Sequence, residues 1–107
     1  MIRNKWLITD DYKAASIEIL QTNLAPLRAK IGISQEELAN VIGLARQSYC
    51  AIEAGKREMM WSTYLSLIFF FDSIRTTSEM MEELRIYPID LIMKFNEQID
   101  PDIDIIG

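Results

Sequence analysis

Residue types that carry covalent or metal chemistry are scarce in this sequence. It has no histidine and one cysteine, Cys50, so it offers no imidazole base and no zinc set of the usual kind. No glycine-rich phosphate loop or nucleophile elbow occurs. The acidic residues are scattered, with no spacing that pairs two of them for acid–base work. We therefore expect no catalytic residue, no metal and no cofactor, and we expect the chain not to be an enzyme. What remains is charge and hydrogen bonding, concentrated in one stretch. Residues 24–57 hold Arg28, Lys30, Arg46, Lys56 and Arg57 against Glu36, Glu37 and Glu53, alongside the amides of Gln35 and Gln47. The net charge of −5 arises elsewhere, because residues 58–107 carry three cations and ten anions while residues 1–23 balance. An anionic partner would meet residues 24–57 and not the acidic half.

The helices that must position these groups are marked by caps and breakers. Asp10 and Asp11 open a helix through Tyr12–Gln21, with Ala14, Ile17 and Leu20 at helical spacing. Asn23 is suited to cap Leu24–Ile31, with Pro26 in the first turn, where its missing N–H has no intrahelical acceptor to lose. Gly32 ends that helix. Ser34 and Glu37 have the spacing of a capping box. The short helix behind it turns Leu38, Val41 and Ile42 inward and stops at Gly43. After Leu44 and Ala45, a further helix runs from Arg46 to Ala54 and stops at Gly55. Two short glycine-terminated helices joined by so tight a turn make a supersecondary unit with few alternatives. Trp61–Asp72 is apolar on nearly every side, which demands burial on both faces. One face closes the core; the other meets the flanking helices or a second subunit. Thr76 and Glu79 repeat the capping-box spacing ahead of a helix to about Tyr87. Pro88 starts a third piece, with Leu91, Ile92, Phe95 and Ile99 at helical spacing. Residues 100–107 alternate like a short strand or lie loose.

The single cysteine cannot close an internal disulfide, which fits a reducing compartment. No apolar run reaches the ~18 residues of a membrane span, and the apolar part of Met1–Ile8 is too short for a signal peptide. A cytoplasmic protein without a membrane segment is expected.

Residues 35–54 resemble the helix-turn-helix of the phage-repressor and Cro-like family, often called Xre-type. The likeness extends outward through Leu27-Arg28, Gly32-Ile33-Ser34-Gln35 and Glu53-Ala54-Gly55-Lys56-Arg57. Several separate constraints coincide there. Ala39 is small where two helices cross, Gly43 allows a positive φ at the turn, and Leu38, Ile42, Leu44 and Ile52 supply shared core. The resemblance implies an all-α, lambda-repressor-like helical bundle with additional N- and C-terminal helices. Residues 1–22 would be a helical extension, 23–75 the DNA-binding domain, and 76–107 an acidic helical extension for dimerisation.

The same resemblance assigns roles. The helix from Arg46 would lie in the major groove with its N-terminal end against base edges. Arg46 suits guanine O6 and N7, and Gln47 suits adenine N6 and N7. Ser48 reaches a base or phosphate, or bonds its own backbone. Ala45 stands where the family usually has a capping Ser or Thr; its methyl either leaves the helix uncapped or meets a thymine methyl. Ser34 and Gln35 would hold a phosphate at the start of the first helix of the motif, and Lys56 and Arg57 would meet phosphate beyond the second. Tyr49 departs from the small β-branched residue usual at its place; it fills the core or leans out to a phosphate, and the core is the favoured reading. Arg28 and Glu53 are expected to form a partly buried structural ion pair. Cys50 either replaces a Ser or Ala of similar size, the favoured reading, or acts as a redox switch whose oxidised forms would crowd the groove.

The expectation is a sequence-specific double-stranded DNA-binding regulator, bacterial or phage-encoded, that represses by binding a two-fold operator as a homodimer. The alternatives are an antitoxin-type regulator, whose C-terminal half binds a protein partner, and a protein-interaction module on a degenerate helix-turn-helix.

Overall fold

The computed structural model describes residues 1–86 together with Phe95 and Asn96. Among residues 1–86, one 3-10 turn, Asn4–Trp6, precedes six helices: α1 Asp10–Thr22, α2 Leu24–Ile31, α3 Gln35–Ile42, α4 Arg46–Glu53, α5 Trp61–Asp72 and α6 Arg75–Glu83. The described residues contain no strand, and none of their helices is long and apolar enough to cross a membrane. The helical piece expected after Pro88 and the alternating residues 100–107 lie outside the described residues, apart from Phe95. That ring sits 5.9 Å from Trp6, centroid to centroid.

One core joins all six helices. Leu20 from α1, Leu24 and Leu27 from α2, and Leu38 from α3 are fully buried. Tyr49 and Ile52 from α4, Tyr64, Leu67 and Phe71 from α5, and Met81 from α6 complete it. The buried residues of α5 fall at Tyr64, Leu67, Ile68 and Phe71, an i, i+3, i+4, i+7 stripe that faces one side. On its opposite face Leu65 is 45% exposed and Phe69 78%. Among the described residues the demand for burial on both faces is thus met on one side only.

Local bonds explain where the helices start and stop. Thr9 caps α1, its Oγ1 accepting from the Tyr12 N–H at 3.2 Å. At Ser34 the capping box forms in full, with Ser34 Oγ accepting from Glu37 N–H at 3.0 Å and Ser34 N–H donating to Glu37 Oε1 at 2.9 Å. Gly43, at φ +78°, lets the Leu44 N–H reach back to the Ala39 carbonyl at 2.9 Å and turns the chain sharply into α4.

Four local expectations are corrected. Asn23 does not cap α2. It is the only residue between α1 and α2, and its side chain donates backward to the Ile19 carbonyl at 2.8 Å, closing α1 instead. Val41 is exposed rather than inward. The inner arc of α3 runs through Leu38, Ala39 and Ile42, which leaves Val41 about 100° away. The capping box at Thr76 does not form, because α6 already begins at Arg75. The neighbouring Thr77 is fully buried, and its hydroxyl is directed to the Phe71 carbonyl at 2.6 Å and the Ile74 carbonyl at 3.2 Å, serving the end of α5. Finally, α6 stops at Glu83 and not near Tyr87. Arg85 adopts φ +57°, Ile86 N–H bonds Met81 carbonyl at 2.8 Å, and Arg85 N–H bonds Glu82 carbonyl at 3.1 Å. This pair of bonds is a Schellman closure, sealed by buried Ile86 and Met81.

Candidate nucleic-acid interface

The turn at Gly43 sets α4 against α3 and leaves the first turn of α4 facing solvent. Arg46 and Gln47 are exposed there. Ala45, Arg46, Gln47 and Cys50 line an open groove of about 450 Å³. Ala45 is the N-cap residue and supplies no side-chain bond, so the first N–H groups of α4 have no protein cap. Uncapped N–H groups beside a guanidinium and an amide form a donor-rich surface, suited to an anionic or acceptor-bearing partner.

Other candidate residues make bonds of their own. Arg57 follows α4 in the loop beyond Gly55, and its Nη1 donates to Ser48 Oγ at 3.0 Å. The two residues expected to contact DNA from helix and loop are therefore linked to each other. Lys56 is exposed beside them. Ser34 Oγ is engaged in its capping box but keeps its own O–H to donate. Gln35 turns its amide oxygen toward α4, where it accepts from the Cys50 thiol at 3.2 Å.

Beneath this surface, Arg28 and Glu53 form the expected pair. Nε donates to Oε2 at 2.8 Å and Nη2 to Oε1 at 2.6 Å, while Nη1 donates to the Ile33 carbonyl at 3.0 Å. Burial by itself would raise the Glu53 pKa. Hydrogen bonds and charge from Arg28, with help from Tyr49 and Gln35, override that and hold it below the ordinary carboxylate value. The Arg28 pKa is raised, chiefly by its bond to Glu53. Tyr49 is fully buried, in the core. Its hydroxyl lies near the Arg28–Glu53 pair without closing a well-formed hydrogen bond, and burial above all, with the Glu53 charge, pushes its pKa well above the usual phenol range. Among the described residues no group of acidic, cysteine or histidine side chains is arranged to hold a metal ion.

One residue at this site carried no signal in the sequence. Gln21, on α1, donates from Nε2 to the Ile52 carbonyl at 2.7 Å and to the Arg57 carbonyl at 3.1 Å. A glutamine near the end of a helix outside the motif has nothing in its sequence neighbourhood that points to a loop 36 residues away.

The helix-turn-helix family model matches residues 26–58, which take in most of α2, all of α3 and α4, and most of the following loop. Over residues 26–58 the chain is thus similar to the DNA-binding helix-turn-helix of the Cro/C1, Xre-like type. No curated protein and no solved structure matches the chain. With this helix-turn-helix, the all-helical architecture of the described residues is consistent with a lambda-repressor-like helical fold. In that frame α4 is the second helix of the motif, and Arg46 and Gln47 stand at its leading end.

Proposed function

We propose that the chain is a transcriptional regulator that reads double-stranded DNA through α4. Arg46 and Gln47 contact base edges, with Ala45 and Ser48 beside them, and Ser34, Gln35, Lys56 and Arg57 contact phosphates. The observation that carries this reading is the first turn of α4. It presents Arg46 and Gln47 to solvent, uncapped and flanked by the Ser48–Arg57 bond, within a matched helix-turn-helix. The acidic surface of α6, with Glu79, Glu82 and Glu83 all exposed, disfavours approach of the duplex from that side.

A single such motif reads few base pairs, so the regulator acts as a repressor on a two-fold operator as a homodimer. The uncovered apolar face of α5 supports association, since Leu65 and Phe69 stand exposed with Val41 of α3 beside a shared groove of about 480 Å³. The same groove favours a second reading, an antitoxin-type regulator that covers this face with a protein partner. Sedimentation of the purified chain at micromolar concentration separates them: a dimer supports the first, and a stable monomer supports the second.

DNA reading is tested by selecting bound duplexes from a random pool at two salt concentrations. A palindromic site should be enriched, and its affinity should fall steeply with salt as counterions are released. Absence of enrichment, with salt-insensitive binding to protein, would sink the reading.

A further inference from the structure

Gln21 lies outside the matched segment, yet it bonds both the end of α4 and the loop beyond it. The Ile52 carbonyl belongs to the last turn of α4, where it accepts from the Gly55 N–H at 3.0 Å and has a second lone pair for Gln21. The Arg57 carbonyl belongs to the segment that carries two exposed cations. That segment is also tied by the Lys56 and Arg57 N–H groups, which reach the Ala51 carbonyl at 2.9 and 3.2 Å. The Arg57 guanidinium then rests on Ser48. Arg57 is thus fixed at three places: its amide by Ala51, its carbonyl by Gln21, and its side chain by Ser48. α1 can act as a firm anchor because Leu20, adjacent to Gln21, is fully buried.

We propose that Gln21 is a positioning residue for DNA binding. It holds the segment 55–57 so that Arg57, braced on Ser48, is already set against the path of a phosphate before the duplex arrives. This rests on the reading of Arg57 as a phosphate contact. The physical gain is pre-organisation. An unheld loop must lose backbone and side-chain freedom on contact, and that loss weakens binding. Gln21 itself touches no DNA in this arrangement.

The test uses the full chain and a fixed mixed-sequence DNA duplex, with affinity measured across a salt series. Gln21→Met keeps the length of the side chain and removes its donors. Arg57→Ala removes one phosphate contact and should flatten the slope of log affinity against log salt by about 0.9. Gln21→Met should weaken binding about three- to tenfold, the scale of one or two net hydrogen bonds, and flatten the slope in the same direction. In the Arg57→Ala background its effect should shrink well below that in the wild type, to what Lys56 alone transmits. Gln21→Ala provides a second route to the same result, and melting of each free variant establishes that it is folded at the assay temperature. A residue that merely capped α4 would lower the melting temperature and leave the salt slope at its wild-type value. That outcome overturns the proposal, as does a double variant whose losses multiply. A wild-type chain that binds no duplex at any salt overturns the DNA reading itself and the proposal with it, and only that failure removes the wild-type slope.

Discussion

The Arg28 guanidinium clasps both carboxylate oxygens of Glu53, at 2.8 and 2.6 Å, and so ties α2 to the last residue of α4. The same guanidinium bonds the Ile33 carbonyl at 3.0 Å, so one side chain joins three parts of the motif. With side-chain exposures of 19% and 9%, the pair is largely withdrawn from water. Its net contribution is modest, because desolvation offsets attraction, but loss of one partner leaves the other charge uncompensated.

Glu53→Ala should therefore destabilise the fold by about 3–5 kcal/mol, read by urea denaturation. DNA binding should decline because the folded fraction declines. Lost binding at an unchanged melting temperature would show that Glu53 acts on the duplex instead.

The same pair sets an acid limit. The folded pKa of Glu53 lies below its ordinary value of 4.5, so the unfolded chain takes up the proton first as pH falls. Stability from this group is complete above the ordinary value, and it drains away as pH drops through the folded one. Glu37 shifts in the same direction through its bonds to Ser34. Melting temperature should hold near neutral pH and drop below about pH 4.5. Glu53→Gln should lower the neutral-pH value and make the acid decline shallower. An equally steep decline in that variant would place the acid sensitivity elsewhere.

Arg85 is the one described non-glycine residue at positive φ, +57°. It occupies the left-handed position of the closure that ends α6, where an L side chain is strained by about 1–2 kcal/mol. Glycine removes that strain but has more freedom to lose on folding. Arg85→Gly should raise stability by about 0.5–1 kcal/mol, visible as a higher melting temperature. A lower one would mean that the arginine side chain contributes more than its backbone costs.

How much of this was legible depended on how local the deciding forces were. Ser34 and Glu37 are three residues apart and satisfy each other, so their spacing sufficed. Thr76 and Glu79 have the same spacing and no box, because burial of Thr77 against Phe71 fixed the start of α6 first. Val41 shows a second limit. An eight-residue helix holds too few apolar positions to define its inner arc, and Ala39, which does face inward, has little hydrophobic weight. The Arg28–Glu53 pair was expected only through family likeness, since nothing at a separation of 25 residues marks the two as partners. Gln21 had neither route: no local partner and no place in the motif.

Base contacts and phosphate contacts should separate in one comparison. Arg46 stands at the leading end of α4, whereas Lys56 lies beyond its other end. If Arg46 reads a guanine, Arg46→Ala should cost about 1–3 kcal/mol on the selected duplex and relax preference at a single base position. Its effect on unselected duplex should be small. Lys56→Ala should weaken all duplexes by similar factors, leave the preferred sequence unchanged, and reduce the salt slope by about 0.9. The two classes differ because a base edge differs from one pair to the next, while the phosphate charge repeats along the whole duplex. Repeating the selection with each variant decides the matter. An unchanged preferred sequence for Arg46→Ala would remove Arg46 from the base-reading set, and an unchanged salt slope for Lys56→Ala would return Lys56 to solvent.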